Sequence, residues 1–211
     1  MQDQSSTLSF VASLVPRFCQ QVQQALSISL DHSKTSLAFV DHYLGLARQE
    51  QREPILSLLA AGAGAYFGDM ICRELGAMWI SDGSQDPRRL RLLLTHQLIH
   101  FSPIDQAFEA ILATSLELED PRHPTGAAID SAFHLKGSGA TSEQVWIENY
   151  LAQLAPLPKD QFYSLTARFE TLELILELLA SKQMAENKQP VRYEISDYLH
   201  LITQTNGLIN L

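Results

Sequence analysis

Cysteine is nearly missing from this chain. Among 211 residues only Cys19 and Cys72 carry thiols, and no C-x-x-C pair exists. That pattern gives neither a cysteine zinc site nor a dithiol redox centre, and predicts two buried free thiols. Positive charge is scarce too: 15 Lys and Arg stand against 24 Asp and Glu, for a formal net charge of −9. With no basic stripe interleaved with aromatics, this balance argues against nucleic acid and anionic membrane surfaces as partners. No apolar run reaches the roughly 20 residues that a bilayer-spanning helix needs. The opening residues, MQDQSSTLSF, lack the basic start and apolar run of a signal peptide, which predicts a cytoplasmic chain. No G-x-S-x-G nucleophile elbow is present, and Gly137-Ser138-Gly139 reads as a flexible turn. Nothing here calls for a cofactor.

Against these shortages stands one dense apolar stretch, residues 54–80, PILSLLAAGAGAYFGDMICRELGAMWI. Pro54 suits a first helical position, with Glu53 placing negative charge at the positive end of the helix dipole. From Ile55 to Gly68 only Ser57 is polar, and a helix apolar on all sides is buried on all sides. Glycine inside a helix costs about 1 kcal/mol relative to alanine. Gly62, Gly64 and Gly68 therefore predict that another backbone crosses very close. A phosphate cradle does not fit, because no strand precedes GAGAYFG and its spacing is not G-x-G-x-x-G. Gly76 marks the helix stop, and Met78 to Ile80 read as a short strand.

The segment from Gly62 to Trp79 resembles a motif of uncharacterised bacterial proteins, in which G-A-Y-x-G-[DE] is followed by a basic residue, a Gly and a Trp. Residues 30–44, LDHSKTSLAFVDHYL, are similar to the helix that opens those proteins. Asp69 stands here where Glu is more usual. The resemblance covers about the first half of the chain; it implies a shared fold, a domain of unknown function with no established activity.

The rest of the chain reads as covering for the central helix. Apolar residues at helical spacing from Leu8 predict a first amphipathic helix to about Leu30, which Pro16 starts or kinks. Asp31 or Ser33 caps a second, with Leu37, Val40 and Leu44 in its buried stripe. Asp82-Gly83 is a turn signal. Residues 90–101, LRLLLTHQLIHF, read as one long strand or two paired strands, with a helix as the alternative. Ser102-Pro103 starts a helix ending near Leu118. Residues 119–141 form a long loop, or a loop with one short element at Ile129 to Leu135. A helix follows from Ser142 to Leu154, and the longest runs from Lys159 to Glu186. Val191 to Ile195 read as a strand, and Ser196-Asp197 as the cap of a last helix to about Gln204. The organisation is thus a core over 1–118, a loop over 119–141 and a helical region over 142–211 packed on that core, one domain in all.

Two constellations could carry chemistry. His96 and His100, four apart, have the spacing of H-E-x-x-H but with Gln97 in place of the general base. They form a candidate zinc pair, with Asp105 or Glu109 as third ligand. The alternative is two histidines on the exposed face of a half-buried sheet. His32, Asp41 and His42 are better read as capping or solvated groups than as ligands. The second constellation is Tyr66, Asp69, Arg73 and Trp79, which could line a small pocket at the end of the central helix. Asp69 and Arg73 are also spaced to form a helix-end ion pair.

The fold expected is therefore α+β and predominantly helical, with a small antiparallel sheet over about residues 77–101. The function expected is that of a non-enzymatic interaction or accessory module with an unidentified protein partner, or a homodimer through the 159–186 helix. The rivals are a metal-dependent hydrolase using His96 and His100, and a small-molecule sensor with a pocket by Tyr66 and Trp79.

Overall fold

A computed structural model of the chain describes residues 4–116, 120–122, 129–136 and 142–198. The amphipathic N-terminal segment is a helix, α1 (Gln4–Leu26), burying Val11, Phe18 and Val22. It stops short of the expected Leu30 because Ser27 takes a φ of +58°. Pro16 lies within it on the exposed side. Helix α2 (Lys34–Leu46) starts as expected at Ser33, whose hydroxyl accepts from the Ser36 N–H.

Helix α3 (Glu53–Ile71) begins one residue earlier than expected, which makes Pro54 its second residue. Every residue from Ala60 to Gly68 is buried. A π-helical turn, Cys72–Gly76, extends it until Gly76 takes a φ of +73° and the chain leaves as a strand. With this extension Glu53–Gly76 is long and apolar enough, by length and composition, to cross a membrane. The expectation of a run too short for a bilayer does not hold once the π-helical turn is added to it. In this chain 67% of that apolar window is buried inside the protein, as the core helix of a folded domain also is.

The glycines show what crosses α3. A Cβ on Gly64 would fall 2.6 Å from Ile104 Cα and 2.7 Å from the Pro103 carbonyl oxygen. There the expected backbone crossing is present. At Gly62 and Gly68 the neighbour is an aromatic ring instead: Phe18 at 3.0 Å and the Trp79 indole at 2.1 Å.

Four antiparallel strands follow in spatial order β1-β2-β3-β4: β1 (Ala77–Ile80), β2 (Arg91–Leu94), β3 (Ile99–Phe101) and β4 (His134–Leu135). Residues 90–101 are thus two paired strands, Leu93 opposite His100, joined by a turn over 95–98. Alternation along the strands divides the side chains between two faces. Trp79, Leu92, Phe101 and Leu135 enter the main core, which runs from Val11 to Leu179. Ile80 and Leu93 face the other way, where Tyr193, Ile195 and Tyr198 cover them.

Helix α4 (Pro103–Leu112) starts as expected, with Ser102 accepting from the Asp105 N–H. It ends six residues before Leu118, at Ala113 with a φ of +52°. Helix α5 (Ser142–Leu151) is also shorter than expected. The long 159–186 helix is in fact two, α6 (Lys159–Phe162) and α7 (Leu165–Ala185). The break has two causes. The Ser164 hydroxyl accepts from the Ala167 N–H, and Asp41 of α2 accepts from the Leu165 and Thr166 N–H groups at 2.7 and 3.0 Å. Two side-chain caps offset the loss of helical bonds at the junction. The apolar stripe of α7, Leu165, Phe169, Leu172, Ile175 and Leu179, is buried in this chain's own core. Residues 191–194 are irregular rather than a strand, and residues 195–198 are helical. Most of the expected 119–141 loop, and the end of the last helix with Gly207, lie outside the described residues. The architecture is a predominantly helical α+β fold with a small antiparallel sheet, α3 at its centre.

Candidate functional site

Helical spacing places Tyr66, Asp69 and Arg73 along one side of the end of α3, and the structure brings them together. Arg73 Nη2 lies 2.8 Å from Asp69 Oδ2, and His32 Nε2 lies 3.1 Å from the same oxygen. The His32 ring stacks on Tyr66 with centroids 4.6 Å apart, and the Tyr66 hydroxyl accepts from the His32 N–H at 2.9 Å. His32 holds a φ of +62°, an unusual backbone for a non-glycine residue, fixed by these contacts. Burial, and then the Arg73 charge, push the imidazole below its ordinary pKa, while Asp69 pulls it back up. Trp79 does not join the group. Its indole fills the space over Gly68, and its buried Nε1 has no hydrogen-bond partner among the described residues. What this cluster does is tie the end of α3 to the α1–α2 connection. Neither thiol is activated: burial pushes Cys19 up and Cys72 up to about 12, so both stay protonated near neutral pH.

The two histidines of the candidate zinc pair have different surroundings. His96 is exposed in the 95–98 turn, and His100 is buried in β3. His100 stacks on His134 of the neighbouring strand, centroids 4.9 Å apart, and meets Tyr198 edge-on. The expected third ligands are engaged elsewhere. Asp105 Oδ2 accepts from the Asp130 N–H at 3.0 Å, and Glu109 pairs with Arg168 at 2.9 Å. Among the described residues no group of three or more His, Cys, Asp or Glu side chains is placed to hold a metal ion. Burial, with the neighbouring His134 second, pushes His100 down to about 4, and burial pushes Asp105 up to about 6. His134 Nε2 lies 2.8 Å from Asp130 Oδ1. Burial, the largest single influence, works against the Asp130 charge, but His134, Arg91 and His100 together hold the carboxyl below its ordinary value.

All ten residues of α4 are buried, including Asp105, Gln106 and Glu109. Asp105 and Gln106 grip the segment before β4, through the Asp130 N–H and the Ser131 carbonyl at 2.9 Å. The periodic apolar face was legible beforehand; the burial of its polar side was not.

A fourth feature had no counterpart among the sequence candidates. Between α5, the connection over 152–157, α6 and α7 lies an open cavity of about 710 Å³. Ile147 and Leu151 of α5, Leu157 and Phe162, and Leu174 and Ile175 of α7 give it apolar walls. Arg168 reaches it from α7. Its guanidinium pairs with Glu109 and lies 5.5 Å from the centre of the Phe162 ring and 5.8 Å from that of Tyr163. Burial lowers the Arg168 pKa and raises that of Glu109, so each charge depends on the other for its stability. Of the twelve large apolar side chains exposed among the described residues, six fall between Val145 and Phe162. Three of these six, Leu154, Leu157 and Phe162, line the cavity together, unlike apolar residues scattered singly over a surface. The signal in the sequence was Leu154, Leu157 and Phe162 set around Pro156 and Pro158, apolar residues in a stretch that no helix can carry through.

No known protein family matches the chain, and no curated protein or solved structure is similar to it at a significant level.

Proposed function

We propose that the chain is a cytoplasmic, non-enzymatic interaction module that binds its partner in the groove beside α7. The observation that carries this reading is the apolar cavity of about 710 Å³, with the half-exposed Leu154, Leu157 and Phe162 among its lining side chains. Single exposed apolar residues are ordinary, but a contiguous apolar concavity is where proteins bind partners and ligands. The ionisable clusters favour structural roles. Asp69 is shared between Arg73 and His32, and Asp130 is held by His134. A partner that meets the 159–186 region does so on the groove face of α7, at Thr171 and Leu174, because the Leu172 side is occupied by this chain's own core.

The test is a titration with a neutral solvatochromic dye such as Nile red. The intact chain binds it saturably with a blue-shifted emission. Leu174→Trp, which pushes a larger ring into the cavity and leaves the buried stripe alone, weakens binding by about tenfold. Arg73→Ala, which strips the exposed member of the α3 cluster, leaves it unchanged. A chain that does not take up the dye, or takes it up equally with Trp at position 174, contradicts the proposal.

A further inference from the structure

We infer that the groove receives a basic amphipathic segment of another protein, with apolar side chains on one face and lysines or arginines on the other. This rests on the groove being the binding face and goes on to name its occupant. The first argument is extent. Leu154, Leu157 and Phe162 line the cavity, yet each keeps about half of its surface exposed, at 47%, 51% and 50%. A small molecule sunk into the cavity leaves their outer halves wet. A helix laid along α7 covers both the cavity and its rim, the helix-in-groove mode of recognition.

The second argument is charge. Arg168 is the cation that lines the groove, and Glu109 at 2.9 Å cancels it. The carboxylates on the two walls are Glu148 of α5, which accepts from the Gln144 amide at 2.6 Å, and the exposed Glu170 of α7. Glu143 and Glu173, which do not line the groove, are paired with lysines. The groove is therefore apolar at its floor and negative at its mouth. A second copy of this chain would bring the same carboxylates and a net charge of −9 to that face. Charge complementarity selects a basic occupant over a self-partner.

The experiment uses the full chain and two synthetic peptides of about 18 residues, roughly five helical turns. Both carry the same leucine face; one has lysines on its polar face and the other glutamates. Fluorescence anisotropy at near-physiological salt reads binding. The lysine peptide binds one to one and the glutamate peptide does not. The double variant Glu148→Lys/Glu170→Lys weakens the lysine peptide by about tenfold. Glu74→Lys/Glu194→Lys makes the same change of net charge at exposed sites away from the groove and leaves binding within about twofold. Leu174→Trp abolishes it.

Several outcomes overturn the inference: no binding of the lysine peptide, equal binding of both peptides, or equal weakening by the two double variants. A concentration-dependent dimer of the chain that Leu174→Trp dissolves also overturns it, and assigns the groove to a second copy. If the neutral dye binds in the groove while the peptides fail to discriminate, the binding face stands and the basic occupant falls. If the dye does not bind, both fall.

Discussion

Where α3 and α4 cross there is no room for one methyl group; where α5 and α7 face each other there is a cavity of about 710 Å³. Both are helix pairs in the same chain, yet they are built from opposite materials. The crossing uses Gly64 so that two backbones touch, and every residue of α4 is buried. The α5 layer holds one buried residue, Ile147, and leaves Val145, Trp146 and Tyr150 exposed. Close packing gives the chain its unique core, and the incomplete packing of the second pair leaves an open apolar cavity.

The largest effect is expected where the two regions join. Arg168→Met leaves Glu109 buried without its cation, and the loss is about 3 kcal/mol in urea unfolding. Both side chains are well buried, at 14% and 7% exposure, so solvent screening does little to reduce that figure. Adding Glu109→Leu to Arg168→Met recovers most of the loss, because the stranded charge is gone. If the single change costs as little as a surface substitution, the pair is not what fixes the floor of the groove.

Next comes the contrast in packing itself. Gly64→Ala forces a methyl group against the Ile104 backbone and costs about 2 kcal/mol, despite alanine's better helix propensity. Leu174→Ala removes far more volume from the groove wall and costs less than about 1 kcal/mol, since Leu174 is only partly buried. Equal costs for the two would erase the distinction drawn between the regions.

The pH response sharpens the picture around the sheet. His100 is held neutral, its pKa lowered from 6.5 to about 4. The unfolded chain then binds a proton that the folded chain refuses, and stability falls as pH drops from 6.5 toward 4. Asp105 has the opposite sign. Its pKa is raised from 3.8 to about 6, so the folded chain binds the proton first and stability rises as pH drops from 6 toward 4. Arg91, Asp130 and His134 are the ionisable neighbours of the pair. Between pH 7 and pH 5, His100→Gln should gain stability relative to the intact chain and Asp105→Asn should lose it, each by about 1 to 2 kcal/mol. Thermal unfolding at the two pH values checks the signs; shifts in the same direction would contradict this reading of the two sites.

The smallest effect is at the rim. Leu157→Ser changes stability by no more than about 0.5 kcal/mol, because half of the side chain is already exposed, while dye uptake falls. A large loss of stability there would mean that the groove wall is core.

Local chemistry was legible in the sequence, and long-range chemistry was not. Ser33 and Ser102 cap their helices as their residue type predicts, Gly76 stops α3, and Asp69 meets Arg73 four residues on. The α3–α4 crossing was readable from Gly64 because glycine inside a helix asks for a close neighbour. The other determinants come from afar. His32 reaches Asp69 from the α1–α2 connection. Asp41 caps α7 across 124 residues and breaks a helix that propensity alone would run through. The spacing of His96 and His100 fits a zinc pair on a helix, but a hairpin turn takes up the interval. A cavity is a place where side chains fail to meet, and no periodicity encodes it; only the apolar residues around Pro156 and Pro158 hinted at one.

The most direct test of the central claim is a methyl NMR titration of the isotope-labelled chain with the neutral dye. The account predicts shifts at Ile147, Leu151, Leu157 and Leu174, with Met70 and Ile71 beside the Tyr66 and Asp69 cluster unmoved. Shifts concentrated at Met70 and Ile71, with the α5–α7 methyl groups silent, would contradict it and move the binding site to the end of α3.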